Sequence, residues 1–394
     1  MRHVTRDQVI GYRLQAHGLR ERRAESPAAV SARCGLQDSP PGSGLLALHA
    51  RADGVGPGTV DDALEGRTLL RTWSLRGAPY LIPTDGAAVY TTGVLPAGDA
   101  ATRHFILGAG PSLDALEMSA DEAVEATAAA VRRVLRGRRL AIGALGAEVA
   151  QAIAPELTAA QRKTWESEGP HAPGQPVGEA IVHFCVRILT LRGIVCFAPR
   201  EDGTAPFVLV DEWLGHPLPE IPTGHARTEL VRRFLRCHGP ATRAGFAAWL
   251  GVRSGDAAPW WSLLADEIEP VDLDGRRTWV HVADAESLDA APDPAGTRLL
   301  PPHDPYTRVT DRDTIVAPEH QRAVWRTVGD PGALLLDGRI AGTWRPRKRG
   351  DRLGLTVETF APLPRRARTV IEEEAHAVGR VRGATAMEVA FTGP

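Results

Sequence analysis

Apolar residues first recur at helical spacing in VTRDQVIGYRLQAHGL, where Val9, Ile10 and Leu14 share a face behind Thr5, a good N-cap residue. A second helix is predicted from Ser26, with Pro27 at its first position and AAVSARC behind it. The pattern breaks at CGLQDSPPGSG (34–44), where Gln37 and Asp38 sit among prolines and glycines. It resumes in GLLALHARA, which Ser43 is placed to cap. A turn-rich piece, DGVGPGTVDDALEGR, leads to RTLLRTWSLRGAPYLIP (67–83). There Leu69, Leu70, Trp73 and Leu75 fall between arginines, and the end reads as extended.

Residues 119–140 carry a strong helical pattern, with Ser119 as cap and acids in the first turn. ALGAEVAQAIA and GEAIVHFCVRILTLRG are the next helices, and IVCFAPR and FVLVDEW read as strands. Helices followed by a two-stranded wing make the winged variant of the helix-turn-helix. The pattern returns at 226–281 in ARTELVRRFLRCHG, ATRAGFAAWLG and PWWSLLADEI, then in a hairpin turning at Asp274-Gly275. The linker DAESLDAAPDPAGT (284–297) marks a boundary. Beyond it, GALLLDGRIAGTWRPRKRGDRLGLTVETF predicts three short strands with turns at Asp337-Gly338 and Gly350-Asp351, a small antiparallel, barrel-like unit closed by a helix in PRRARTVIEEEAHAVGRVRG. The expected fold is α+β, built of helix-and-wing units rather than one large sheet. Its boundaries fall at 1–115, 116–222, 223–290 and 291–394.

At 394 residues, more than one domain is expected. No window approaches 18 apolar residues, and the N-terminus lacks the apolar core of a secretory signal, so a cytoplasmic protein is expected. The cysteines, Cys34, Cys185, Cys196 and Cys237, form no CxxC pair. Buried thiols are expected, rather than a zinc cage or a disulfide framework. The net charge of −2 does not itself suggest nucleic acid. The kind and placement of basic residues change that picture. Only Lys163 and Lys348 are lysines, and arginines cluster at 132–139, 231–236, 344–352 and 365–368, away from acidic runs at 265–274 and 371–374. GC-rich coding is the plainer explanation of the arginines, but a near-neutral chain can still carry a basic face suited to phosphates.

Familiar enzyme signatures are missing: no GxGxxG after a strand, no GxxxxGK[ST], no HExxH and no GxSxG. A site must therefore be built from amides, carboxylates and arginines. Gln37 with Asp38 is one candidate. Arg71 and Arg76 around Trp73 are another, unless Trp73 is core and the arginines snorkel at its edge. In LLPPHDPYTRVTDRD, Asp304, Tyr306 and Arg308 either face a ligand or form a rigid turn in which Asp304 bonds backbone amides.

Taken together, GLQDSPPGS, RTWSLRG, CHGPATRAGFAAWLG, LLPPHDPY and DGRIAGTWRPR resemble the crosslink-repair, AlkZ-like (YcaQ-like) family of winged-helix DNA glycosylases, over about residues 3 to 385. The resemblance implies three tandem winged-helix units in a C-shaped body closed by a small β-barrel. It implies excision of N-alkylated purines, bulky adducts and interstrand crosslinks included, from double-stranded DNA in the cytoplasm, at the nucleoid. It implies no metal, organic cofactor or obligate protein partner. The implied catalytic motif is a glutamine, an apolar residue, then a glutamine or aspartate. Gln37 matches the first position, Asp38 stands where an apolar residue is usual, and Ser39 replaces the second polar residue. A shifted match would instead make Gln37 the second glutamine, opposite Gly35.

An N-alkylated purine is a cation and leaves without a general acid, so the enzyme mainly has to place a water and stabilise positive charge at the sugar. Gln37 with Asp38 or Ser39 can do that, and Asp38 can equally cap the next helix. Arg71, Arg76, Arg132, Arg133, Arg136, Arg232 and Arg233 are the expected phosphate contacts. The departure at Ser39 leaves a second reading: a non-catalytic winged-helix DNA-binding protein, a regulator or damage binder.

Overall fold

The computed structural model describes residues 1–349 and 352–393. In chain order its strands are β1 (Arg2–Val4), β2 (Leu36–Gln37), β3 (Leu69–Trp73), β4 (Pro79–Pro83), β5 (Val195–Phe197), β6 (Phe207–Leu209), β7 (Ile268–Leu273), β8 (Arg276–His281), β9 (Thr297–Leu300), β10 (Gly332–Leu336), β11 (Arg339–Arg349), β12 (Arg352–Thr359) and β13 (Ala386–Thr392). They form sheets ordered β2-β4-β3-β5-β6, β1-β7-β8 and β13-β12-β11-β10-β9. The first helices are α1 (Arg6–Ala16), α2 (Pro27–Cys34) and α3 (Ser43–His49).

The local start signals work as their chemistry requires. Thr5 and Ser119 each close a capping box, with Gln8 and Glu122, and Ser26 accepts the Ala29 amide. Asp274-Gly275 and Asp337-Gly338 both take positive φ at both positions, as two-residue hairpin turns need. Ser43 differs from its expected role. It is the first helical residue of α3, and the N-cap Gly42 has no side-chain bond to help it. The cap comes from Asp38, whose Oδ1 accepts the Gly42 and Gly44 amides at 3.0 and 3.2 Å. The turn-rich stretch before β3 also holds a helix, Thr59–Glu65, that its glycines obscured.

The hairpins read as wings are not independent of one another. Hairpin β3-β4 and wing β5-β6 join in one sheet through the single pair Arg71↔Phe197. Trp73 meets Phe197 edge-on at 5.1 Å and tilts against Phe207 at 5.2 Å, so it is packing at this seam. At the third wing, β1 adds in parallel to β7, with Arg2 opposite Val271. Helix α1 then divides its apolar side chains. Val9 and Tyr12 pack with Val271, Val280 and Leu288, while Ile10 and Leu14 pack with Leu300, Leu335 and Ile340. The chain's start thus ties the third wing to the C-terminal sheet.

That last sheet is open, not the expected barrel. Edge strands β9 and β13 pair only inward, and β13 runs parallel to β12. The helix Arg365–Val381 covers its apolar face, packing Ile371, Ala375 and Val378 against Trp344, Leu355 and Val357, so closure is not needed to bury it. The predicted turn at Gly350-Asp351 lies outside the described residues. Among the described residues, no helix is long and apolar enough to cross a membrane.

Candidate active site

Strand β2 is short, but its pairing is definite. Leu36 lies opposite Leu81, Gln37 opposite Tyr80, and the Asp38 amide donates to the Pro79 carbonyl at 2.8 Å. Side chains alternate faces along such a strand. Leu36 and Gln37 therefore point to opposite faces, and Asp38 and Ser39 lie just beyond the strand. Leu36 is buried with Val30, Leu48 and Leu81.

Asp38 is 3% exposed, and its acceptor capacity is fully used. Oδ1 takes the two amides that open α3. Oδ2 accepts Arg71 Nε and Arg200 Nη2, each at 3.1 Å. One carboxylate thus joins β2, β3 and the chain just beyond β5. Gly44 must lack a side chain here, because a Cβ would stand 2.5 Å from Leu81 Cδ1 and 3.3 Å from Asp38 Oδ1. Asp38 takes the capping role that was one of its two readings, and its remaining lone pairs are occupied by arginines rather than turned toward Gln37. One expectation is corrected. Arg71 is buried on this carboxylate rather than presented to phosphates.

Gln37 faces a different group. Its Oε1 accepts Arg76 Nη2 at 3.1 Å, Arg308 Nη2 at 3.3 Å and the Tyr80 hydroxyl at 3.5 Å. Its Nε2 donates to the Ser39 carbonyl at 3.4 Å. Arg76 also bonds the Tyr80 hydroxyl and the Trp249 carbonyl. Burial, and then the charge of Arg76, bring Arg308 down to about 10. Arg76 and Tyr80 thus meet Arg308 of the C-terminal region on one amide, and Arg76 is held in turn by the Trp249 carbonyl. Ser39 is half-buried beside it.

The other sequence candidates are placed elsewhere. Asp304 forms a buried two-pronged pair with Arg51, at 2.8 and 2.7 Å, and accepts the Tyr306 amide at 2.9 Å. The Tyr306 hydroxyl donates to the Gly338 carbonyl at 2.6 Å, and burial pushes the phenol's pKa up. Both residues are buried and fasten the C-terminal region to the end of α3, which is the rigid-turn alternative, with Asp304 bonding a backbone amide. Arg132, Arg133 and Arg136 are exposed, with Arg133 3.3 Å from Glu156. Arg232 grips Glu267 with two nitrogens, while Arg233 takes Glu229 at 2.9 Å and the Ala32 carbonyl of α2 at 2.8 Å. In that second cluster both arginines are paired with carboxylates, and Arg233 also ties its helix to α2.

Tyr80 and Arg200 were not anticipated. Tyr80 lies opposite Gln37 in a hairpin, so correct pairing of β2 with 79–83 would have found it. Arg200 has no local signal. Among the described residues, His17, Cys34 and Cys237 form the one group with metal-ligand spacing, their atoms all within 4.8 Å. As found, Cys34 Sγ lies 3.9 Å from His17 Nδ1, and the Cys237 thiol donates to the Arg33 carbonyl at 3.6 Å. Burial holds His17 well below the usual histidine range.

The family model for AlkZ-like DNA glycosylases matches residues 30–381. An interstrand DNA cross-link repair glycosylase of Streptomyces sahachiroi is 25% identical over 390 residues, 97% of this chain and 98% of that protein. The solved structure of Streptomyces sahachiroi DNA glycosylase AlkZ superposes with a TM-score of 0.78 at 24% identity, covering 99% of this chain and all of that one.

Proposed function

The chain belongs to the AlkZ-like DNA glycosylases, and on that premise we propose that it hydrolyses the N-glycosidic bond of N-alkylated purines, with Gln37 and Ser39 placing the attacking water. The observation that supports this reading is the junction that follows β2: Gln37, paired with Tyr80, donates through Nε2 to the Ser39 carbonyl at 3.4 Å, while Asp38 between them fixes the junction to β3 and α3. A polar pair on a rigid mount is what water placement needs. Ser39 then fills the role of the motif's second polar residue, and Asp38 occupies the inward position where the family usually carries an apolar side chain.

In the proposed reaction the C1′–N bond breaks and its electron pair neutralises the cationic purine. Water oxygen bonds C1′, and its proton leaves to solvent. The Gln37 amide oxygen and the Ser39 hydroxyl orient the water and face the sugar's developing positive charge. No general acid is needed, because the leaving base is already charged. The helix-and-wing units and the C-terminal sheet are read as a C-shaped body around duplex DNA. Exposed Arg132 and Arg136 supply sequence-independent phosphate contacts. The cross-link activity in the Streptomyces relative's name supports bulky and cross-linked purines as substrates here too.

The test is base release from duplexes carrying N3- and N7-alkylated purines, bulky adducts among them. Abasic sites should appear. Gln37→Ala should slow their formation by about 100-fold, the scale of one transition-state hydrogen bond, and leave duplex affinity intact. If no adduct in the panel is released, the reading fails.

A further inference from the structure

In the free protein the acceptor atom of Gln37 is already occupied, and by cations. Arg76 and Arg308 both donate to Oε1. The remaining recorded partners of Arg76 are a hydroxyl and a carbonyl, and none of the partners of either arginine is a carboxylate. Arg308 Nε is buried with no partner at all. Asp330 acts on Arg308 only from beyond ion-pair distance, and itself lies 3.3 Å from His303. Elsewhere the buried guanidiniums of Arg51 and Arg71 each hold a carboxylate. A third arginine, Arg312, lines the same cavity of about 120 Å³ with Arg76 and Arg308, stacked 4.5 Å from the Trp325 ring centroid.

Two partly buried cations sharing one neutral oxygen form an incomplete anion site. A phosphate completes it well, because a charge-assisted N–H···O⁻ bond is about twice as strong as one to a neutral amide. Guanidinium forks match phosphate oxygens in pairs. The present arrangement also opposes the chemistry. Uncompensated arginines beside Gln37 disfavour positive charge at a sugar, and they block the oxygen that would hold the water.

We infer that Arg76 and Arg308 are a receptor for one backbone phosphate of the damaged strand, and that its arrival draws both guanidiniums off Gln37 Oε1 and frees that oxygen for the attacking water. This rests on the reading of Gln37 as the water-placing residue. The arginines are then positioning residues. They keep the amide parked without DNA, and the substrate's own charge unparks it.

The binding arm of the test needs no excision, so it stands apart from the glycosylase reading. Wild-type protein is bound to duplexes containing a tetrahydrofuran abasic analogue, with one neutral methylphosphonate moved through the three linkages on each side. One linkage should weaken binding by about tenfold, the loss of a charge-assisted contact. Arg308→Gln should weaken binding to ordinary duplex similarly and add little loss at that linkage. No linkage with this non-additive behaviour overturns the receptor.

The kinetic arm reads the release of Gln37. On an N7-alkylated substrate with that methylphosphonate, wild-type kcat should fall by about tenfold as well as KM rising. In Arg308→Gln the kcat penalty of the methylphosphonate should shrink below about threefold, because less cation is left on the amide. An equal kcat penalty in both proteins overturns the unparking step. A phosphate taken from solution would instead show as an Arg308→Gln defect that appears only with added inorganic phosphate and at no linkage, which also overturns the proposal. If the variant folds poorly, the linkage scan on wild-type protein still tests the contact, and the absence of any sensitive linkage overturns the receptor.

Discussion

Asp38→Asn separates a structural carboxylate from a catalytic one. The substitution keeps size and one oxygen, so the Gly42 and Gly44 amides can still be capped. It places an NH₂ group where Oδ2 now accepts Arg71 and Arg200. Arg71 is almost fully buried, and Arg200 is about a quarter exposed, 25% by side chain. Breaking a buried pair by removing one partner costs about 3–5 kcal/mol. Most of that comes from Arg71, since solvent screens Arg200. A loss of about 3 kcal/mol is therefore expected, the low end of that range. With unfolding entropy of about 2 cal/mol/K per residue and 394 residues melting together, Tm should fall by about 4 °C.

The assay pairs calorimetry with single-turnover base release well below Tm. Asp38→Asn should melt early, yet release base within about threefold of the wild-type rate, a change under 1 kcal/mol. Arg71→Met should destabilise similarly, and the double variant should lose less than the sum of the two, the sign of a direct pair. A protein with wild-type Tm and excision lowered by about 100-fold would refute this reasoning and make Asp38 the general base.

Three further outcomes follow from the same geometry. Asp304→Asn should lower the urea unfolding free energy by about 3–5 kcal/mol, because it strands Arg51 in the interior, and adding Arg51→Met should recover part of it. His238 is buried, with neither ring nitrogen partnered, and burial, then Arg13, hold it down to about 3. Its folded value lies below the unfolded one of about 6.5, so the unfolded chain takes the proton first and stability falls as pH drops from about 6.5 toward 3. At pH 5 the loss is about 2 kcal/mol, and His238→Phe should remove that share of the difference in urea midpoint between pH 7 and pH 5. Replacing Arg132 and Arg136 together with Gln should reduce the slope of log affinity against log salt by up to about 2, whereas Arg232→Gln, which only frees Glu267, should leave it unchanged.

What was legible in the sequence was local. Thr5, Ser26 and Ser119 signal their helices through bonds three residues long, and Asp274-Gly275 and Asp337-Gly338 encode their turns in their own φ angles. Gln37 was found because its motif is contiguous. The misplacements involve partners far along the chain. Asp38 meets Arg71 across 33 residues and Arg200 across 162, and Arg51 meets Asp304 across 253. No periodicity encodes such pairings. The charge run at 231–236 looked free because Glu267, 35 residues from Arg232, could not be assigned to it, although Glu229 lies at helical spacing and was readable. The seam between two wings rests on one residue pair, and the open C-terminal sheet depends on where the last helix lies.

The contrast between Gln37 at the end of β2 and Asp38 just beyond it has a physical logic. A carboxylate at position 37 would meet Arg76 and Arg308 as an ion pair, worth about 4 kcal/mol per contact at an effective dielectric constant of 20. Bound that firmly, it would be slow to yield to a phosphate, and the arginines would be lost to DNA. A neutral amide is held by weaker bonds and can be exchanged. One residue on, the requirement reverses. Asp38 faces Arg71 and Arg200 at the join of three strands, where a bond that does not exchange is useful. The charge sits where the chain is held to its neighbours, and the neutral side chain sits where the proposed exchange with a phosphate requires it.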